Sequence, residues 1–86
     1  MTPEASYLLA RCQLILNAIE AADPGSFIVE LRQALEATAA KGDVRGLRSI
    51  RRDLLEMSQI LGSNERAALD AALKVQEVDD PIHRSG

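Results

Sequence analysis

Aromatic residues are nearly missing. Tyr7 and Phe27 are the only two in 86 residues, and there is no tryptophan. With β-branched residues also few, little in the chain favours strands. The single cysteine, Cys12, excludes an internal disulfide and with it a small disulfide-built secreted scaffold. The single histidine, His83, lies far from Cys12 in the chain. Together they cannot supply the roughly four ligands of a zinc site. No apolar run is long enough to span a bilayer. No basic segment followed by an apolar one opens the chain, so the expected compartment is cytoplasmic, with no secretory signal. Basic charge is in deficit: ten Lys and Arg against thirteen Asp and Glu give −3 and a pI near 5.0. That balance argues against nucleic-acid binding by the whole surface.

Catalytic patterns are missing too. The motifs G-x-S-x-G, G-x-x-x-x-G-K-[ST] and H-E-x-x-H do not occur. Neither do the Glu-x-x-His pairs of di-metal helical bundles. Ser6, Ser26, Ser49, Ser58, Ser63 and Ser85 have no positioned histidine to activate them. His83 falls in a tail where a catalytic base would lack fixed geometry. The expectation is a non-enzyme with no metal and no cofactor.

What is present is alanine and leucine, 13 and 12 residues of a chain that is 47% apolar. Both are strong helix formers. Breaks cluster at Ala22-Asp23-Pro24-Gly25-Ser26, Lys41-Gly42-Asp43 and Leu61-Gly62-Ser63-Asn64. Gly42 and Gly62 are suited to the left-handed end of a helix. Asp43, and Ser63 or Asn64, are suited to cap the next one. Thr2-Pro3-Glu4 and Asp23-Pro24 repeat the capping logic, with proline at the first helical position. Helices are predicted near 3–22, 24–40, 44–61 and 64–78. The connections are short, so sequential helices should run antiparallel. The expected fold is all-α: a small four-helix bundle or pair of helical hairpins in one domain, residues 1–78. Asp79-Asp80-Pro81 ends the last helix, leaving a disordered, flexible tail over 79–86.

The apolar periods suggest what each helix packs against. In the first helix Leu8, Cys12, Ile15 and Ile19 form a heptad seam, and Tyr7, Leu14 and Ala18 mark another flank. A helix so apolar is buried on more than one side. A short chain has a marginal core, so the expectation is a homodimer joined along Leu8, Cys12, Ile15 and Ile19. The competing arrangement is one bundle with the first helix at its centre. The second helix carries Phe27, Ile28, Leu31, Leu35 and Thr38. The third carries Leu47, Ile50, Leu54, Met57 and Leu61. The fourth has the weakest inner face, Leu69, Ala72, Leu73 and Gln76, with Arg66, Asp70, Lys74 and Glu77 as a solvated strip.

One stretch departs from the acidic background. Residues 43–52 hold four arginines against one aspartate, a local charge of +3, whereas the preceding residues sum to −2 and the following ones to −4. Arg45, Arg48 and Arg52 share the outer face of the third helix, with Arg51 beside the apolar stripe. The arginine fork suits carboxylates and phosphates. Three uses are open: acidic residues of a protein partner or second copy, phosphates, or a solvated face with Arg52 pairing Glu56. For phosphates the second and third helices would form a helix-turn-helix. Thr38 and Arg48 stand where that motif has a small and an apolar residue, and the overall acidity opposes it. The preferred expectation is a protein–protein interaction module of adaptor, regulator, chaperone-like or inhibitor type. Its contact residues would be Arg45, Arg48, Arg51, Arg52, Leu55 and Ile60. The alternative is a helical nucleic-acid-binding regulator using the same arginines. No membrane role is expected.

Overall fold

The computed structural model describes residues 2–78, with the side chain of Val78 left aside; the expected flexible tail, with His83 and Asp79-Asp80, lies outside the described residues. Four helices follow one another: α1 (Pro3–Ala22), α2 (Ser26–Ala40), α3 (Val44–Met57) and α4 (Ser63–Val78). A 3-10 turn, Ser58–Ile60, continues α3. The fold is all-α, with no strand among the described residues. No helix among them is long and apolar enough to cross a membrane.

The capping chemistry explains most of the boundaries. Thr2 Oγ1 accepts from Ala5 N–H at 3.2 Å, and proline follows directly, as the first helix requires. At the end of α2, Gly42 takes φ +68. Its N–H donates to Ala39 C=O at 2.9 Å, and Asp43 N–H donates to Thr38 C=O at 3.2 Å. These two bonds are the pair by which a left-handed glycine closes a helix. Asp43 then opens α3: its carboxylate accepts from Gly46 N–H at 2.9 Å. Gly46 sits under this turn in tight quarters. A Cβ there would stand 2.8 Å from Thr38 Cγ2.

Three expected boundaries differ. α2 starts at Ser26, not at Pro24; Gly25 precedes it in an extended conformation, with no side-chain cap. Asp23 instead ends α1, donating its N–H to Ile19 C=O at 2.8 Å. Gly62 is not left-handed, because Leu61 already turns the chain out with φ −69 and ψ 141. The third helix tightens after Met57 into the 3-10 turn.

α1 is the centre of the molecule, with α2, α3 and α4 each packed against it. Ala5, Leu8, Cys12, Ile15, Leu16 and Ile19 are buried along its length. The residues of the expected seam are thus covered within the chain itself. Leu8 is 3% exposed and Cys12, Ile15 and Ile19 are fully covered, all by the same chain. A residue without surface cannot meet a second copy unless the bundle opens. The opposing residues are Ile28, Leu35 and Ala39 from α2, Leu47 and Leu54 from α3, and Leu69 and Leu73 from α4. Cys12 Sγ–H points at Leu47 C=O, 3.7 Å away, so the thiol is part of the α1–α3 contact.

Candidate functional site

The amphipathic pattern of α3 decides which side chains face out. Leu47 and Leu54 are drawn into the core, and Ile50 and Met57 pack at its edge. The arginines are thereby turned outward. Arg45, Arg48 and Arg52 are exposed and Arg51 is half-buried. Arg48, Arg51, Arg52, Leu55, Glu56 and Gln59 line one shallow groove of about 510 Å³. Four of the six expected contact residues are therefore neighbours in one place. Arg45 lies one turn before the groove on the same helix. Ile60 is not part of it.

Within this face the charges are partly spoken for. Arg48 Nη2 donates to Glu4 Oε1 at the start of α1, a pair separated by 44 residues in the chain. Arg52 Nε lies 3.8 Å from Asp53 Oδ1, instead of pairing with Glu56. Arg45 and Arg51 have no hydrogen-bond or ion-pair partner among the described residues. Leu55 is 40% exposed in the middle of these cations.

Ile60, 57% exposed, stands at a second and larger groove between α1 and α4. This one measures about 680 Å³ and is floored by Ala18, Ala21, Ala22, Ala68 and Ala72, with Leu14 and Leu69. Alanine leaves space where larger side chains would close the α1–α4 contact.

Several polar residues have structural roles the sequence did not reveal. Arg66, expected in the solvated strip, reaches back to Ser58, donating to its Oγ at 2.5 Å and its C=O at 3.2 Å. Ser58 is fully buried and donates its own hydroxyl to Leu55 C=O at 2.6 Å. Arg11 donates to Tyr7 Oη at 3.1 Å and to Leu73 C=O at 3.4 Å, with its guanidinium 5.7 Å from the Tyr7 ring centre. Gln76 Nε2 donates to Tyr7 C=O at 2.9 Å. The Arg11–Leu73 and Gln76–Tyr7 bonds join residues far apart in the chain and are visible only once α4 lies on α1. Arg32 likewise joins Asn17 and Glu20 across the α1–α2 contact.

Among the described residues no nucleophile is set up beside a base. Burial pushes the Cys12 thiol up to about 11, against the opposing pull of Arg51 and then Arg11. A neutral, enclosed thiol is a poor nucleophile. Among the described residues no group of three His, Cys, Asp or Glu side chains is placed to hold a metal ion.

Comparison with known proteins finds no match to this chain, whether among protein-family models, curated proteins or solved structures.

Proposed function

We propose that this chain is a small, non-enzymatic protein–protein interaction module that binds its partner on the outward face of α3. The observation that carries the reading is Leu55, 40% exposed in a groove walled by Arg48, Arg51 and Arg52. Interfaces commonly combine an apolar centre with a polar rim, and arginine is enriched in both interfaces and their hot spots. The core supports the reading from below. Because Leu47 and Leu54 anchor α3 from inside, its outer side chains are presented on a rigid element. An adaptor, a regulator, a chaperone-like protein and an inhibitor would all use such a face.

Phosphate binding by Arg45, Arg48, Arg51 and Arg52 is the second reading. The clustering of four arginines on one helix favours it. The acidity of the chain as a whole, −3, weighs against it.

The test is a photo-crosslinking residue at position 55 in the cell of origin, with and without R51E/R52E. Circular dichroism should be unchanged by the double reversal. A discrete protein adduct that disappears in R51E/R52E supports the reading. A nucleic-acid adduct, or a protein adduct indifferent to the reversal, rejects it.

A further inference from the structure

We infer that the partner's contribution to the α3 face is a short amphipathic helix, acidic along one part of its contact stripe and apolar along the rest. The inference rests on the protein-binding reading above and specifies the chemistry of what is bound. Arg45, Arg48, Arg52, Leu55 and Gln59 step along α3 and into its 3-10 extension by three, four, three and four residues. That spacing makes a nearly straight stripe on the outside of the helix. It has the same step as the inward stripe Leu47, Ile50, Leu54, Met57 and Leu61. A straight stripe of this period matches the stripe of a second helix better than it matches an irregular loop.

Charge sets the rest. The first three positions of the stripe are arginines, and Arg51 flanks them. The last two are an exposed leucine and an amide. A complementary helix therefore places carboxylates against Arg45, Arg48 and Arg52, and an apolar side chain against Leu55. The molecule already shows one such contact, because the Glu4 carboxylate sits on Arg48. The surroundings restrict where an acidic segment can land. Glu4 on Arg48, Asp53 beside Arg52 and Glu56 in the groove wall already border the arginines, so an acidic segment is favoured only where its carboxylates meet the guanidiniums.

Length separates a helix from a polyanion. Residues 45 to 59 cover roughly 20 Å at the usual helical rise. Duplex nucleic acid carries a charge about every 1.7 Å without end. It would run past both ends of the stripe. A helix with one acidic stripe can stop where the arginines stop.

The experiment is fluorescence anisotropy of the full chain with three labelled probes. The first is a synthetic amphipathic peptide with glutamates and leucines on one helical stripe. The second is a scramble of the same composition, and the third a single-stranded oligonucleotide of equal charge. The expected result is saturable binding of the first probe, and about tenfold or greater weakening by R51E/R52E and separately by L55S. Glu4→Gln, which releases Arg48, should tighten it. Equal binding of the scramble, indifference to L55S, or preference for the oligonucleotide with a steep salt slope would overturn the inference. Failure of all three probes would also overturn it. If the protein adduct at position 55 still disappears in R51E/R52E, the protein-binding reading stands and only the acidic helix is rejected.

Discussion

α3 and α4 both lie on α1, but they are held there by different means. α3 is held by apolar contact. Leu47 and Leu54 are at most 1% exposed, and even the cysteine between α1 and α3 has its thiol directed at a backbone carbonyl. α4 buries Leu69 and Leu73 less completely, at 5% and 8%, beside an alanine-floored groove that no side chain fills. Its ends are fastened by polar clasps instead: Arg66 to Ser58 at one end, Arg11 and Gln76 with Tyr7 and Leu73 at the other. Burying apolar surface stabilises in proportion to area, whereas exchanging water for a protein hydrogen bond yields about 1 kcal/mol. The difference implies two levels of stability, with α4 the element that opens first.

The comparison can be broken from either side. Leu47→Ala should have the largest effect, about 3–4 kcal/mol, because the site is closed on all sides and a cavity would remain. Chemical denaturation should show it as a loss of the whole transition. Leu69→Ala should cost less, about 2 kcal/mol, since the adjoining groove allows relaxation. Hydrogen exchange in that variant should accelerate in α4 while α1–α3 stays protected. Equal acceleration in all four helices would mean that the two contacts are one cooperative unit.

Raising the pH probes the α1–α3 contact through its thiol. The Cys12 thiol ionises near 9.0 when unfolded and about 11 when buried. The folded state thus keeps a proton that the unfolded chain releases. Stability from this source is complete below about pH 9 and is lost as the pH rises towards 11. Cys12→Ala should remove that pH dependence. A thiol reagent at pH 8 should modify the protein only after unfolding.

At the clasps the expected changes are small. Gln76→Leu should stay within about 1 kcal/mol of neutral, because it gives up the bond to Tyr7 C=O but also removes Gln76 Oε1, which is buried without a partner among the described residues. A marked destabilisation would mean that a buried water or a second conformation satisfies that oxygen. Arg48→Gln should change stability least, by under about 1 kcal/mol, since its pair with Glu4 is exposed. Denaturation midpoints at low and high salt would measure it.

Local features of this fold were legible in the sequence, and features made by distant contacts were not. Thr2, Asp43 and Gly42 announce their caps because each acts within three or four residues of itself. The inner stripes of α2 and α3 are legible for the same reason. The seam on α1 was legible as apolar, but its period is equally served by another chain or by the same chain's α2 and α3. Nothing local in the sequence separates those outcomes. Arg66 reads as solvated because its partner, Ser58, lies across a turn whose path depends on Leu61 leaving the helix. Pro24 carries the pattern of a first helical residue yet does not open α2, because Asp23 before it is engaged in ending α1. The arginine face was legible as a cluster; its shape as a groove around Leu55, and the seating of Glu4 on Arg48, needed the fold.

The turn at Gly42 and Asp43 has a consequence for how the chain can change in length. Asp43 belongs to both neighbouring helices: its N–H closes α2, and its carboxylate and C=O open α3 towards Gly46 and Leu47. There is no slack residue between them. One residue inserted between Asp43 and Leu47 would rotate the rest of α3 by about 100° relative to its start. Leu47 and Leu54 would swing off the core as the arginines swung towards it. Insertions and deletions are therefore far more damaging here than at Ala22–Gly25, where no side-chain cap fixes the count. The stretch from Thr38 to Leu47 acts as a gauge that fixes which side of α3 reaches solvent.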